Sequence, residues 1–304
     1  LRMNFTSHPR EVCVRPRRDL QAVPADLSRH ATATLAAARV EMSAEFLSFE
    51  AALRPRSANE PAKSQRRMPN DIFTFKQFAI TQASAAMKVG TDAVMLGAAA
   101  TLPDSGRVLD IGTGTGIVAI MAAQRRPDVT VTAIEIDPCA ADEARANVAA
   151  TPWSDRIEVV CSDVRTWDDD GRAFDCIVSN PPYYEGMLRG DDHGRNIARH
   201  DETLDMATLT ATAARLLAGD GTFTVIVPAD AEDSLLHSAA DNGLAMSRRI
   251  DVVTKEGKAP KRIIIEMKRK IDVIRREKIA IRDRHGNYTD EYARLTGDFY
   301  KQLN

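Results

Sequence analysis

The sequence contains little cysteine, and its cysteines follow no recognised pattern. The four are Cys13, Cys139, Cys161 and Cys176 in a chain of 304 residues. None forms a Cys-x-x-Cys pair, and none has a histidine at metal-ligand spacing. The sequence therefore predicts neither a disulfide framework nor a metal site, and it favours a reducing, cytoplasmic setting.

Long apolar runs are also missing. No stretch approaches the roughly 20 apolar residues that cross a bilayer, and the first residues lack the apolar core of a secretory signal. No Gly-x-Ser-x-Gly and no P-loop lysine motif is present, which argues against the common hydrolases and nucleoside triphosphatases. A hydrophobic content of 44% is ordinary for a protein with a sizeable core, so we expect a soluble protein with no membrane partner.

Two parts of the chain differ in composition. Residues 1–67 are rich in Arg, Ala, Ser and Pro, and two interpretations stay open for them: a poorly ordered segment extraneous to the fold, or a basic arm that touches nucleic acid. From about residue 70, short β-branched apolar runs alternate with helical patterns, which predicts a second unit over 68–304. The strand-like runs are 106–112, 129–136, 156–163, 174–180 and 221–228.

This alternation predicts a mostly parallel, doubly wound α/β sheet. Asp137 and Pro138 supply an N-cap and a first helical residue, and the helix over 204–221 should stop at its glycines. After residue 245, two strand-like runs follow each other with no helix between them, so they must pair antiparallel. We expect a parallel sheet that ends in one reversed strand.

A glycine-rich turn joins the first of these strands to a helix. Gly112, Gly114 and Gly116 allow sharp turns and close approach of a ligand to the backbone. Such a turn alone is a weak signal, because nicotinamide and flavin enzymes have one too. The pattern here is Asp-x-Gly-x-Gly-x-Gly, however, and Asp110 would repel a pyrophosphate but attract a cation such as the α-amino group of a sulfonium-bearing amino acid.

Two further acids stand at strand ends. Glu135 closes the second strand, close to the position from which an acid binds the ribose hydroxyls of an adenosine. Asp163 closes the third and is placed to accept a hydrogen bond from an adenine amine. Either acid alone fits an N-cap or a loop carboxylate equally well. Because both acids and the glycine turn lie at the carboxyl ends of strands, together they favour a nucleoside site.

The segment SNPPYYEG, residues 179–186, follows another buried strand. Asn180 falls at the strand's carboxyl end, where open α/β sheets bind ligands, and each of the two prolines fixes φ near −65° and carries no N–H. The result is a rigid corner with two acceptors, the Asn180 side-chain oxygen and the Pro181 carbonyl, beside the flat faces of Tyr183 and Tyr184. Such a corner suits a planar group that donates N–H bonds.

Together these motifs resemble the class I S-adenosylmethionine-dependent methyltransferases, and Asn-Pro-Pro-Tyr resembles their amino-group branch. More specific stretches resemble bacterial enzymes of this branch that methylate the N6 amine of an adenine in tRNA. The matching stretches are 73–78, 86–98, 108–116, 179–184 and 281–303.

The resemblance implies a Rossmann-like, seven-stranded sheet with one antiparallel strand, S-adenosylmethionine as cofactor, and tRNA as partner. It implies that Asn180, Pro181, Pro182 and Tyr183 form the catalytic corner. The residues it implies for cofactor binding are Lys88, Gly90, Thr91, Asp92, Asp110, Gly112, Gly114, Gly116, Glu135, Asp163 and Asn180.

Three alternatives stay open. The same corner would accept a glutamine amide of a protein, such as a release factor or ribosomal protein. The glycine turn alone fits a nicotinamide-dependent oxidoreductase, and a non-enzymatic RNA-binding protein would keep the fold without the reaction.

A basic segment suggests how nucleic acid would bind. Residues 248–284 carry fourteen Lys or Arg against six Asp or Glu, a net of +8 that the chain's total of −2 conceals. A cluster of this size is expected of a phosphate-binding face. The alternative is that Lys and Arg protect strand edges against pairing between sheets.

Overall fold

Strands and helices alternate along most of the described chain. The computed structural model describes residues 71–83, 88–182 and 204–301. The segment 1–67 lies outside these ranges, so its role and the boundary at residue 68 stay predictions.

The strands in chain order are β1 (Ile72–Thr74), β2 (Ala79–Thr81), β3 (Ser105–Ile111), β4 (Asp128–Glu135), β5 (Ile157–Cys161), β6 (Phe174–Ser179), β7 (Leu217–Pro228), β8 (Ala245–Lys255), β9 (Arg262–Lys268) and β10 (Arg275–Arg282). The α-helices are α1 (Thr91–Ala99), α2 (Ile117–Arg125), α3 (Pro138–Ala149), α4 (Met206–Leu216), α5 (Glu232–Asp241) and α6 (Asp290–Thr296). Strands β1 and β2 form a separate antiparallel pair.

The main sheet has the order β10-β8-β9-β7-β6-β3-β4-β5. Seven of its eight strands run in the same direction. Strand β9 runs the other way and pairs antiparallel with both β7 and β8. The prediction of a mostly parallel sheet with one antiparallel strand is confirmed.

Two details of that prediction are wrong. The sheet has eight strands rather than seven, because the basic run Arg275–Arg282 forms β10 and pairs parallel with β8. The reversed strand is not the last one either, since β8 and β10 lie beyond it. Charged residues in β10 hide its alternation, and an edge strand needs little apolar surface.

Apolar side chains cover both faces of the sheet. One cluster packs α1 and α2 against Val108, Cys176 and Val178. The other packs α4 and α5 against Leu109 and Ile177. Successive residues of one strand therefore point into opposite cores, as in any doubly wound sheet. Within the described ranges, no helix is both long and apolar enough to cross a membrane.

Helix boundaries agree with the sequence at one end and differ at another. The Asp137 side chain accepts hydrogen bonds from the N–H groups of Cys139 and Ala140, so the predicted N-cap of α3 is confirmed. Helix α4, by contrast, ends at Leu216 and β7 begins at once, so the glycines after it belong to a strand. A Cβ on Gly221 would lie 3.0 Å from the carbonyl oxygen of Phe174, which shows that this glycine permits close strand approach.

Candidate active site

Four parallel strands end side by side and bring the predicted site residues to one edge of the sheet. In the register of β3 and β6, Ile111 lies opposite Ser179, so Gly112 and Asn180 leave neighbouring strands at the same level. The Ser179 hydroxyl donates to the Ile111 carbonyl oxygen at 2.9 Å and joins the two strand ends. Neighbouring strands lie about 4.8 Å apart, so the corner and the glycine turn are adjacent, as the sequence predicted.

The first two glycines of the turn leave open space in front of the backbone. Gly112 and Gly114 have φ values of 70° and 56°, which favour glycine, and a Cβ at either would meet no atom within 4 Å. The N–H groups of Gly112 and Thr113 both donate to the Ile134 carbonyl oxygen, at 2.9 and 3.0 Å. The turn is thus fixed against β4 while its outer side stays accessible.

Gly116 has a different environment. It is the N-cap of α2 with φ of 83°, and a Cβ there would lie 3.5 Å from the Cβ of Ala144 in α3. The structure therefore places Gly116 against a neighbouring helix. Glycine is favoured at this position because the backbone is left-handed, and Gly116 supports the turn from the side that faces α3.

Asp110 is a buried carboxylate beneath the turn. It is 1% exposed, and its Oδ2 accepts a hydrogen bond from the Thr113 hydroxyl at 2.6 Å. Burial raises the pKa of Asp110 to about 7, the bond from Thr113 opposes this shift, and the nearby Glu135 carboxylate adds to it. A cation placed beside these two carboxylates would favour the ionised form, which is what the amino group of a bound amino acid supplies.

Glu135 connects the turn to the end of β4. Its Oε2 accepts from the Gly114 N–H at 2.9 Å, and its Oε1 accepts from the N–H groups of Ile136 and Asp137 at 2.9 and 3.0 Å. A carboxylate has about four acceptor sites, so one stays available for a ribose hydroxyl. The side chain fixes the turn as well as facing the ligand side.

Asp163 is close to the site but already paired. Glu135 lies opposite Cys161 in the register of β4 and β5, which puts Asp163 two residues beyond that level. Its carboxylate accepts from Arg165 Nε at 2.9 Å and pairs with Arg165 Nη2 at 2.7 Å. This contact lowers the pKa of Asp163, so the carboxylate stays ionised and its hydrogen-bonding capacity is shared with Arg165.

The predicted cofactor segment 88–92 begins helix α1. Gly90 is the N-cap and Thr91 the first helical residue, whereas Lys88 is 58% exposed and lies 3.9 Å from Asp71. Asp92 makes an ion pair with Arg262 of β9, with Asp92 Oδ2 at 2.8 Å from Arg262 Nε. Asp92 therefore connects this segment to β9, a contact that the sequence did not indicate.

The catalytic corner is described as far as its second proline. Asn180 is half-buried, Pro181 is buried and Pro182 is exposed. Tyr183, predicted to stack on the target base, lies outside the described residues, as does Tyr184.

Sequence reasoning missed two buried amides that hold the site together. Asn147 of α3, 3% exposed, donates to the carbonyl oxygens of Thr81 and Thr115 at 2.8 and 2.9 Å and accepts from the Thr81 N–H at 2.8 Å. Gln82 accepts from the Val89 N–H at 2.7 Å. The available signal was Asn147 itself, because asparagine is a poor residue for the interior of an alanine-rich helix.

A cavity of about 260 Å³ lies at the other edge of the sheet. Its lining includes Ser105 at the beginning of β3, Asp175 near the beginning of β6, and Lys268 at the end of β9. It is therefore separate from the edge where Asn180 and the glycine turn meet. Among the described residues, no group of three or more His, Cys, Asp or Glu is arranged to hold a metal ion.

Comparison with known proteins adds to this geometry. Residues 83–232 match the methyltransferase small domain. A tRNA1(Val) (adenine(37)-N6)-methyltransferase of Bacteroides fragilis is 44% identical over 238 residues, covering 78% of this chain and 100% of that protein. A protein of the same name from Aeromonas hydrophila is 40% identical over 235 residues, covering 77% of this chain and 99% of that protein.

A solved structure supports the fold. It is described as a predicted O-methyltransferase from Agrobacterium tumefaciens, and it matches with a TM-score of 0.53 at 19% identity. The match covers 68% of this chain and 96% of that one. The match shows that this fold is shared with a protein of distant sequence.

Proposed function

The chain belongs to the methyltransferase small domain family, and from this premise we propose that it transfers a methyl group from S-adenosylmethionine to the exocyclic N6 amine of an adenine in tRNA. The observation that carries the proposal is the adjacency of the Asn180 corner and the Gly112 turn, on strands whose register puts Ile111 opposite Ser179. An amine held at one and a methyl donor held at the other would meet at the same sheet edge.

The residues present fit this cofactor. Space is open in front of Gly112 and Gly114, and the buried Asp110 carboxylate suits the amino group of the methionine part. Glu135 has acceptor capacity for the ribose, and Asp163 would receive the adenine amine on the oxygens it shares with Arg165. When bound, S-adenosylmethionine supplies a methyl group that its sulfonium already activates.

The cofactor segment contributes through its backbone and its position. Gly90 and Thr91 begin α1 at the site edge, and Lys88 is exposed beside them. We assign these residues, with Asp92, to closing the methionine end. Because Asp92 is bound to Arg262, its part is to hold the segment in place, and Gly116 shapes the turn from the α2 side.

Asn180 and Pro181 orient the target amine. The lone pair of an adenine amine is spread into the ring, so the nitrogen is a poor nucleophile. If the Asn180 side-chain oxygen and the Pro181 carbonyl accept its two N–H bonds, the lone pair is freed toward the methyl. These acceptors bind more strongly as positive charge develops on the nitrogen, which stabilises the transition state selectively. Pro182 stiffens the corner, and Tyr183 would stack on the extruded base.

The substrate places the enzyme where tRNA is matured, so we assign it to the cytoplasm. The names of its relatives favour adenine over a protein amide, although the corner itself would accept either.

The test is to incubate the full chain with labelled S-adenosylmethionine and an unmodified tRNA1(Val) transcript, then to digest the product to nucleosides for mass spectrometry. We expect label in N6-methyladenosine. Asn180→Ala should lower kcat by roughly 10²- to 10³-fold, the cost of losing one preorganised transition-state partner, with S-adenosylhomocysteine affinity changed less than about threefold. Asn242→Ala, at the end of α5, is the matched control and should keep full activity.

Two outcomes would contradict the proposal. Label that transfers to a protein glutamine and never to tRNA would replace the substrate. Cofactor binding that collapses in Asn180→Ala while methylation merely halves would reverse the assigned roles.

A further inference from the structure

The fold divides the basic segment 248–284 between two edges of the sheet. Strands β8 and β10 run parallel to β6 and end at Lys255 and Arg282, whereas β9 runs the other way and begins at Arg262. The turn between β8 and β9 therefore lies at the edge of Asn180. The connection between β9 and β10 lies at the opposite edge, about 20 Å away at roughly 3.3 Å per strand residue.

Several arginines of the segment are engaged within the protein. Arg248 pairs with Glu266, which is 1% exposed, at 3.1 Å. Arg249 Nε lies 3.0 Å from Glu232. Arg262 pairs with Asp92 of the cofactor segment. These side chains hold helices and strands to one another, so a count of positive charge overstates what a ligand would meet.

Three lysines at the site edge differ from these arginines. We call Lys255, Lys258 and Lys261 the basic loop: all three are exposed, and among the described residues none has an ion-pair partner within 4.0 Å. The loop backbone is ordered by its own bonds, since the Lys258 N–H donates to the Lys255 carbonyl at 3.1 Å and the Lys261 N–H donates to Val252 at 3.3 Å. The charges therefore sit on a fixed turn.

The distance from the basic loop to Asn180 of the corner follows from the geometry of the sheet. In the sheet order, β9 is two strands from β6 and β8 is three, and the register puts Asn180 level with Ile264 and Ile250. Lys261 lies three residues beyond that level and Lys255 five, so their backbones are about 14 Å and about 22 Å from Asn180 at ~4.8 Å per strand and ~3.3 Å per residue. When a base is extruded into the corner, the phosphates of the next few nucleotides on one side can span this distance. One acid, Glu256, is exposed in the same loop and leaves its net charge positive.

Two basic residues of β10 suit the second role considered for the segment. Lys278 and Arg276 are exposed on β10, the free edge strand of the sheet. Charge on an edge strand discourages pairing with another sheet. The two explanations of the basic segment therefore apply to different parts of it.

Resting on the proposed function, we infer that the basic loop binds the phosphates of tRNA on one side of the target adenine, and that the basic residues at the opposite edge take no part.

The test compares two variants of equal charge change. The loop variant combines Lys255→Gln, Lys258→Gln and Lys261→Gln. The remote variant combines Lys268→Gln, Lys270→Gln and Arg276→Gln. The dissociation constant of an unmodified tRNA1(Val) transcript is measured for each from 50 to 300 mM KCl, together with S-adenosylhomocysteine affinity, which reports that the fold is intact.

Each phosphate contact contributes about 0.7–0.9 to the slope of log K against log salt, so the loop variant should lose about 2–3 from that slope. Extended over the decade between 0.1 and 1 M, this predicts binding weaker by roughly 10²- to 10³-fold at 0.1 M. The remote variant should bind tRNA within about threefold of the wild type, and both variants should bind S-adenosylhomocysteine as the wild type does.

The outcomes separate this inference from the proposed function. Equal losses in the two variants, an unchanged loop variant, or a wild type that binds no tRNA would each overturn the assignment of the surface. A wild type that binds tRNA through the loop but never forms N6-methyladenosine would leave the surface standing and remove the proposed reaction.

Discussion

Cofactor binding should strengthen as pH rises from 5.5 to 7.5, because the bound amino group requires an ionised Asp110. Burial raises the pKa of Asp110 to about 7, so the free protein holds this carboxyl largely protonated in the acid half of the range. Binding a cation beside it must then displace a proton, and the free-energy cost of that displacement grows as pH falls below 7 and becomes small above it.

The size of the effect follows from that pKa. If the complex contains only the ionised form, the dissociation constant is multiplied by one plus ten raised to the difference between pKa and pH. The factor is about 33 at pH 5.5 and about 1.3 at pH 7.5, so affinity should change by about 25-fold, or about 1.9 kcal/mol.

The same carboxyl should lower the stability of the free protein. Its pKa in the folded protein lies above the ordinary value of 3.8, so the native state binds more protons than the unfolded state between about pH 4 and 7. Stability therefore falls as pH rises through this window, by at most about 4 kcal/mol at 1.36 kcal/mol per unit of pKa. Asp110→Asn should be more stable than the wild type at pH 7.5, although it binds the cofactor less well.

Calorimetric titration with S-adenosylhomocysteine at pH 5.5, 6.5 and 7.5 measures the linkage, and urea unfolding at the same pH values measures stability. The Asp110→Asn variant keeps the shape of the side chain and should bind more weakly with a flat pH profile. A wild-type dissociation constant equal within twofold at the two extremes would refute the reasoning. A variant that retained the full slope would assign it to another group.

Two further predictions concern how the turn is held and what it leaves open. Asn147→Ala removes the hydrogen-bond partners of the Thr81 and Thr115 backbone groups. Each buried unsatisfied group costs about 1–3 kcal/mol, so the free energy of unfolding measured in urea should fall by about 2–4 kcal/mol. A loss below about 1 kcal/mol would contradict the assigned hydrogen bonds. Gly112→Ala and Gly116→Ala both strain a positive φ, by about 1–2 kcal/mol each, but only Gly112 borders the open space. Gly112→Ala should therefore weaken S-adenosylhomocysteine binding at least tenfold while Gly116→Ala stays near the wild type, and equal losses would show that the turn's conformation alone matters.

Much of the candidate site could be predicted from the sequence because the features that form it depend on residues close together in the chain. The positive φ of Gly112 and Gly114, the N-cap at Asp137 and the short β-branched apolar runs before each site residue depend on a few neighbouring residues. Parallel strands then bring Asn180 and the glycine turn to one edge without further information.

The partners of charged and amide side chains were not readable in this way. Asp92 was predicted to face the cofactor, yet it pairs with an arginine 170 residues further on. The prediction for Asp163 did not include Arg165, which shares its carboxylate. Nothing local marks the Asp92 pair, because it depends on which elements the sheet order brings into contact, whereas Asp163 and Arg165 are two residues apart and their pairing depends on the shape of one turn.

The sequence by itself therefore determined the alternation of strands and helices, the glycine turn and the proline corner, since backbone sterics and side-chain periodicity encode them residue by residue. Only the tertiary structure decided that β10 joins the sheet, that Asn147 ties the turn to the first hairpin, and that the basic segment is split between two edges. The physical reason is that strand order and direction are set by packing across the whole chain, and a net charge counted along the chain carries no information about them.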